Sequence, residues 1–295
     1  MNRSLAIIGA GRVGRALGRS LRRAGWKIVV VASRTDAAAK RASRFIGAGQ
    51  AVAGLPPALT RPETILVTVP DDAIALVAAE LARKVGPQLP GKIVLHTSGA
   101  LDESVLEPLR GCGAAIGSMH PMQTFNGVNV PPLAGKVFAI GGDDLAMRRA
   151  YKMVRSVGGF PLAIAAERKP LYHVAGAFAA GLVLALEESG AQLLVRAGLK
   201  HREAQRALLS LTRQMLEHYE KLGAAKAWTG PLPRGDYGVV AAHEKALRRL
   251  PPEFAAAYWA VSRLAARVLS RDPQGMLREL DEISGSLQAA KIKGD

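Results

Sequence analysis

The chain has a single cysteine, Cys112, among its 295 residues, so no disulfide can form within it. Set between Gly111 and Gly113, that thiol reads as an unreactive turn residue. Such sparing use of cysteine suits a reducing cytoplasm, the location expected. Acidic residues are also few: 24 Asp and Glu stand against 40 Lys and Arg, a formal charge of +16. This excess favours an anionic ligand or partner without choosing among nucleotide, nucleic acid and lipid surface. No recognisable nucleic-acid module accompanies it, so no nucleic acid is expected as a partner. Long apolar runs are missing as well. The longest, Val174 to Leu186, has 13 residues, short of the ~20 that a membrane-spanning helix needs. It is expected to be a buried helix of a soluble protein, with no membrane partner. The opening apolar run stops at Gly9, so no signal peptide is expected. The hydrophobic fraction, 49% against 22% charged, is high enough for a sizeable core and excludes global disorder.

The first half alternates short β-rich runs with helical patterns. Strands are expected at Leu5–Gly9, Lys27–Ala32, Thr64–Val69, Lys92–His96, Ala114–Met119, Val137–Ile140 and Phe160–Ile164. Helices are expected between them, around Val13–Ala24, from Asp36, at Asp72–Val85, at Leu101–Leu109 and at Asp144–Val157. Continuous apolar strands separated by helices imply a parallel sheet covered on both faces. Beyond residue 165 no strand pattern remains. Helices are expected at Lys169–Ala197, His201–Leu222, Val239–Leu250, Pro252–Ser270 and Pro273–Ala290, broken by Gly198, the Gly230–Gly235 loop, Pro251-Pro252 and Pro273. The expected organisation is an α/β domain, residues 1–165, followed by an all-helical domain, residues 166–295.

The first strand runs directly into Gly9-Ala10-Gly11-Arg12-Val13-Gly14. A GxGxxG that follows a strand and opens a helix is the dinucleotide-binding fingerprint in its proper context. Gly9 permits the tight turn, Gly11 admits the pyrophosphate, and Gly14 lets helix pack on strand. Where an NAD site places an acid at the end of the second strand, this chain has Ser33-Arg34-Thr35, and no acid appears before Asp36. A guanidinium flanked by two hydroxyls suits a ribose 2′-phosphate, so NADP(H) is predicted over NAD(H). Arg12 is a further candidate for the phosphates, while Arg15, Arg19, Arg22 and Arg23 read as a solvated helix face. Val69 and Pro70 are expected to wall the nicotinamide ribose, with Asp71 or Asp72 capping the next helix.

Three polar constellations remain. His96-Thr97-Ser98-Gly99 and Ser118-Met119-His120-Pro121-Met122-Gln123 each follow a strand and should overhang the same sheet edge as the glycine turn. Ser98 and His120 are candidates for hydrogen-bonding a carbonyl and moving a proton, whereas His96 reads as a strand-end histidine bonded to backbone. No metal site is expected. Tyr172-His173 opens the long helix, and His173 is a third catalytic candidate. Trp228 to Asp236 makes a Gly- and Pro-fixed loop in which Arg234 and Asp236 are candidates for substrate binding, or else an interhelical ion pair.

Taken together, GAGRVG at Gly9–Gly14, VPDDAI at Val69–Ile74, HTSGAL at His96–Leu101, GSMHPMQTF at Gly117–Phe125, LYH at Leu171–His173 and TGPLPRGD at Thr229–Asp236 resemble the Rossmann-like proteins whose C-terminal part is domain of unknown function 2520. That group is similar to pyrroline-carboxylate reductase, ketopantoate reductase and phosphogluconate dehydrogenase. The resemblance implies an N-terminal NADP-binding Rossmann domain, an all-α phosphogluconate-dehydrogenase-like C-terminal domain that forms a homodimer, and an oxidoreductase with a small-molecule substrate. Gln123, Arg234 and Asp236 are then expected on the substrate. One departure stands out: the Ser-Asn pair of the group's long helix is replaced by Ala180-Gly181. The expected activity is hydride transfer from NADPH to a small carbonyl or imine compound bearing a carboxylate. Alternatives are a non-catalytic NADP-binding sensor or scaffold and a prephenate-dehydrogenase-like enzyme, the latter on His120-Pro121-Met122.

Overall fold

The computed structural model describes residues 3–292. The chain packs as two compact units, Met1–Gly181 and Leu182–Asp295.

The first unit runs β1 (Ser4–Ile8), α1 (Arg12–Arg23), β2 (Lys27–Ser33), α2 (Asp36–Ile46), β3 (Gln50–Ala53), β4 (Thr64–Val67), α3 (Asp71–Val85), β5 (Ile93–His96), α4 (Glu107–Arg110), β6 (Ala115–Pro121), β7 (Val137–Gly142), α5 (Asp144–Ser156), β8 (Phe160–Ala163) and α6 (Lys169–Ala177). One eight-stranded sheet has the order β3-β2-β1-β4-β5-β6-β7-β8. The chain winds outward from β1 to β3, then crosses back to β4 on the other side of β1. That reversal makes a crevice above the carboxyl ends of β1 and β4, where ligands bind in sheets of this kind. Strands β1, β4 and β5 are buried along their whole length, as helices on both faces require. Successive β1 residues feed opposite cores. Leu5 and Ile7 pack with Leu17, Ile46, Met119 and Phe138, while Ala6 and Ile8 pack with Ile74, Ala78 and Leu81 of α3.

The first unit departs from the expected one in three places. Strand β3 was not legible, because Gln-Ala-Val-Ala is a four-residue edge strand without a strong β-former pattern. Strand β7 pairs antiparallel with β6, and β8 follows β7 in parallel, so β3 to β6 run one way and β7 and β8 the other. The edge strand β8 carries Pro161 opposite Phe138. In place of a helix at Leu101–Leu109 there is a tight 3₁₀ turn, Glu103–Leu106, leading into α4. Asp102 caps that turn by accepting from the Ser104 backbone N–H at 2.8 Å. The first unit also extends past residue 165 to take in α6, which bonds to the strand ends described below.

The second unit is helical: α7 (Val183–Arg196), α8 (His201–Leu222), α9 (Ala224–Ala227), α10 (Pro231–Arg234), α11 (Tyr237–Leu247), α12 (Pro252–Leu269) and α13 (Pro273–Ile292). Among its described residues there is no strand. Val240, Trp259, Ala266, Met276 and Leu280 form its core. The expected Gly230–Gly235 loop contains the helical turn α10, for which Pro231 at the first position is well suited.

Helix α6, a π turn at Phe178–Leu182 and α7 follow one another without a break. The expectation of a buried helix is overturned here. Leu171 is 75% exposed and Leu184 69%, and Val174, Phe178 and Leu182 are about half exposed. The reason is geometric: apolar residues surround the helix, while α8 covers one side of α7. By length and composition, Ala166–Arg196, 31 residues with mean hydropathy 1.4 in its most apolar window, is long and apolar enough to cross a membrane.

Phe138 of β7 is fully buried where the two faces of α5 and β6 meet. Phe138→Ala should destabilise the first unit by about 3–5 kcal/mol. Urea denaturation followed by tryptophan fluorescence would measure this, since Trp26 belongs to the same core.

Candidate functional site

Above the carboxyl ends of β1 and β4 lies a cleft of about 630 Å³ lined by Gly9, Ala10, Gly11, Ser33, Arg34, Val69 and Pro70, with Leu55, Ala73 and Val77 as apolar walls. Seven of the expected cofactor residues therefore share one cavity. Gly9 has φ +110°, and a Cβ on it would stand 2.7 Å from the Thr68 backbone, so glycine is required both by conformation and by space. The Thr68 hydroxyl donates to the Gly9 carbonyl at 2.9 Å. A Cβ on Gly14 would lie 2.3 Å from that carbonyl oxygen. These contacts seat the first turn of α1 directly on β1 and β4.

Gly11 differs: a Cβ there would have no neighbour nearer than the Thr68 carbonyl at 4.0 Å, so it opens onto the cleft. Gly11 is also the N-cap of α1. It offers no capping side chain, and the first turn holds no acid. The free N–H groups of α1 and their positive dipole end are thus left for an anion. Helix α2 is finished in the opposite way. Thr35 accepts from the Ala38 N–H at 3.3 Å, and Asp36 occupies its first turn. Arg34, between the end of β2 and that cap, is exposed, and no ion pair engages it among the described residues. Arg12 and Val13 occupy the first turn of α1. The expected solvated face is only partly so, because Arg15 and Arg19 stack on Phe45 at 5.2 and 5.3 Å.

A polar cluster of the first unit lies at the carboxyl ends of β5 and β6. His96 is fully buried. Its Nδ1 accepts from the Ser98 N–H at 3.1 Å, which leaves Nε2 to donate to the Asp102 carbonyl at 3.0 Å. Burial, reinforced by the Lys169 ammonium, lowers its pKa to about 3. It is a neutral structural histidine of fixed tautomer, as its position after the strand suggested. The Ser98 hydroxyl donates to Asp71 Oδ2 at 2.8 Å and accepts from the Ala100 and Leu101 N–H groups at 3.2 and 3.0 Å. It ties the turn after β5 to the start of α3. Asp71 therefore holds Ser98 instead of capping its own helix.

His120 Nδ1 is 3.0 Å from the Tyr172 hydroxyl, and the two rings meet edge to face with centroids 5.5 Å apart. The His173 ring is 6.1 Å from His120 and nearly perpendicular to it. Burial, then His173 and Lys169, lower the His120 pKa to about 4, with Asp71 opposing. Burial raises that of Tyr172. His173 is exposed on α6. Beneath this group sits Lys169, 1% exposed, its Nζ 2.9 Å from Ser118 Oγ and 3.5 Å from the Ser98 carbonyl oxygen. Burial brings its pKa down to about 8, against the pull of Glu103, Asp102 and Asp71.

The structure thus brings Ser98, His120 and His173 together and adds two residues not anticipated as chemistry, Lys169 and Asp71. Lys169 left one signal in the sequence: a lysine at the first position of a helix opposes the dipole there. Gln123 is half-buried after β6 and bonds its own neighbour's carbonyl, that of Thr124. Arg234 and Asp236 belong to the second unit and pair with each other at 2.7 Å across the α10 turn, which makes them a local ion pair and not an interhelical one.

The uncapped glycine turn at the reversal point of a doubly wound sheet defines a dinucleotide-binding fold. A Rossmann-like domain matches residues 2–121, and Domain of unknown function (DUF2520) matches residues 136–265. Both are domains that the motifs of the chain resemble. No curated protein matches it in sequence. Among solved structures, it is similar to a Bacteroides fragilis protein provisionally designated an NADP oxidoreductase, at 22% identity and TM-score 0.72, over 89% of this chain and 97% of that one. A Thermotoga maritima protein shares 22% identity at TM-score 0.67, over 96% and 99%. Plasmodium falciparum pyrroline carboxylate reductase, solved with NADP bound, shares 14% at TM-score 0.55, over 97% of both chains. What these three share with the chain is the fold.

His96 and His120 are held neutral when folded and take up protons when unfolded below pH 6.5. The unfolded state then binds more protons, so stability is full above pH 6.5 and is lost as pH falls through about 4. Thermal unfolding midpoints should drop over that window, and His120→Gln should flatten the drop.

Proposed function

We propose that the chain is an NADPH-dependent oxidoreductase that reduces a small carbonyl or imine compound bearing a carboxylate. The observation that carries this reading is the presence, along one sheet edge of one compact unit, of an uncapped glycine turn with an unpaired Arg34 and a half-desolvated His120–His173–Tyr172 group. The residues present fit the cofactor. The α1 N-terminus and Gly11 take the pyrophosphate, Arg34 with Ser33 and Thr35 takes the 2′-phosphate, and Leu55, Ala73 and Val77 give apolar walls to the flat base. Bound there, NADPH supplies a hydride.

The chain's own groups handle the proton. With the Tyr172 hydroxyl donating to Nδ1, neutral His120 keeps its Nε2 hydrogen for a bond to the oxygen or nitrogen being reduced. His173, open to water, delivers the proton to that atom and is recharged from solvent. Gln123, in the same unit, is assigned to the substrate as a further polar contact on the strength of its motif. The exposed apolar side chains of Lys169–Arg196 are assigned to a second copy of the chain.

Calorimetry should show NADPH binding more tightly than NADH. Arg34→Asp should weaken NADPH by about a hundredfold, since a paired guanidinium–phosphate contact becomes a repulsion. NADPH oxidation over a panel of oxo acids, cyclic imines and aldehydes should then find turnover that His173→Ala reduces. Tight NADPH binding with no turnover on any member would favour the sensor reading, to which the Ala180-Gly181 replacement already points. Light scattering in detergent-free buffer should report twice the chain mass. A monomer, or partition into liposomes, would reject the second-copy assignment.

A further inference from the structure

The turn after β5 satisfies its backbone almost completely. The Thr97 N–H donates to the Val67 carbonyl at 3.1 Å. The Ser98 N–H goes to His96, and those of Ala100 and Leu101 go to the Ser98 hydroxyl. Between them, the N–H of Gly99 has no hydrogen-bond partner among the described residues, although Gly99 is buried. Buried backbone donors are nearly always paired, so this one marks a place for a ligand atom.

Two further observations say what kind of atom. The Ser98–Gly99 peptide is trans, so its N–H points opposite to its carbonyl. The carbonyl faces the buried Lys169 ammonium at 3.5 Å, and the N–H therefore points away from it. A positive charge on the carbonyl end of a peptide polarises it and makes its N–H a stronger donor. No carboxylate lies within ion-pair distance of Lys169 among the described residues. A buried ammonium without such a partner is costly, and an anion bound at the far end of the same peptide would offset it. The second observation is space. A Cβ on Gly99 would stand 2.8 Å from both Cε1 and Nε2 of His120 and 2.8 Å from Cδ2 of His173. Only glycine lets both imidazoles close on this peptide, which places the proton-handling rings beside the free donor.

We propose that the Ser98–Gly99 peptide is an oxyanion site, in which the Gly99 N–H binds an anionic oxygen of the substrate and the Lys169 ammonium behind it strengthens that bond. Lys169 is then a positioning residue that acts through the peptide without touching substrate. The proposal rests on the reductase reading and deepens it by naming where substrate negative charge is held.

The test uses the full chain labelled with ¹⁵N-glycine and titrated first with NADP⁺, then with oxamate, an unreactive carboxylate beside a carbonyl. Movement of the Gly9, Gly11 and Gly14 amides on the first addition scores the cofactor reading by itself. The Gly99 amide proton should shift downfield on the second addition, and acetamide, which is neutral, should shift it much less. Lys169→Met should weaken oxamate roughly tenfold, as expected for a charge-assisted hydrogen bond that loses its assistance, while the unfolding temperature stays level or rises. An unmoved Gly99 amide would overturn the proposal, as would an equal response to acetamide. So would a Lys169→Met variant that loses stability and oxamate affinity in parallel.

Discussion

The contact on which the molecule depends is the approach of α1 to the sheet at Gly9, Gly14 and Thr68. Backbone meets backbone there with no room for a methyl group, and the Thr68 hydroxyl binds the carbonyls of both Ile8 and Gly9. This seating holds the helix axis against the reversal point of the sheet. It also aims the unsatisfied N–H groups of the first turn into the cleft. Had Gly11 been serine or aspartate, the helix would have capped itself. The chain gives up that local stabilisation at α1 and keeps it at α2, where Thr35 does the capping.

A second constraint is the burial of charge at the opposite end of the same sheet edge. Lys169, His96 and His120 crowd the carboxyl ends of β5 and β6, and their titration is shaped mainly by exclusion of water. The consequence is a division of labour. His96 is neutral and locked between two backbone groups. His120 is neutral but holds only one partner. His173 faces solvent. Asp71 joins the two halves of the edge, because it begins α3 beside the cleft and receives the Ser98 hydroxyl from the turn after β5.

Much of this was legible from residue patterns. Continuous apolar strands, the glycine fingerprint in its strand-to-helix setting, and the switch to helical periodicity near residue 165 yielded the architecture and most of the residues that line the cleft above β1 and β4. The failures have physical causes. Strand β3 is held by a neighbour and not by its own propensity. The direction of β7 depends on a connection whose length allows either sense. The exposure of Leu171 and Leu184 cannot be read from an apolar run, since hydropathy reports what a side chain prefers and not whether anything is there to cover it. Lys169 was passed over because a lysine beside a proline at a helix start looks like surface, and only the tertiary fold shows it pointing inward.

The sheet also has two open margins, and they are finished differently. At β8 the amides of Phe160 and Ile164 turn inward to Lys136 and Ile140, so by alternation residue 161 faces outward. That residue is proline, which has no hydrogen to offer. Phe160 and Leu162, both largely exposed, would otherwise make this margin an adhesive template for strand addition. Pro161 interrupts the outward row of donors at its centre, so the sheet resists growth into fibrils or exchanged-strand assemblies from this side.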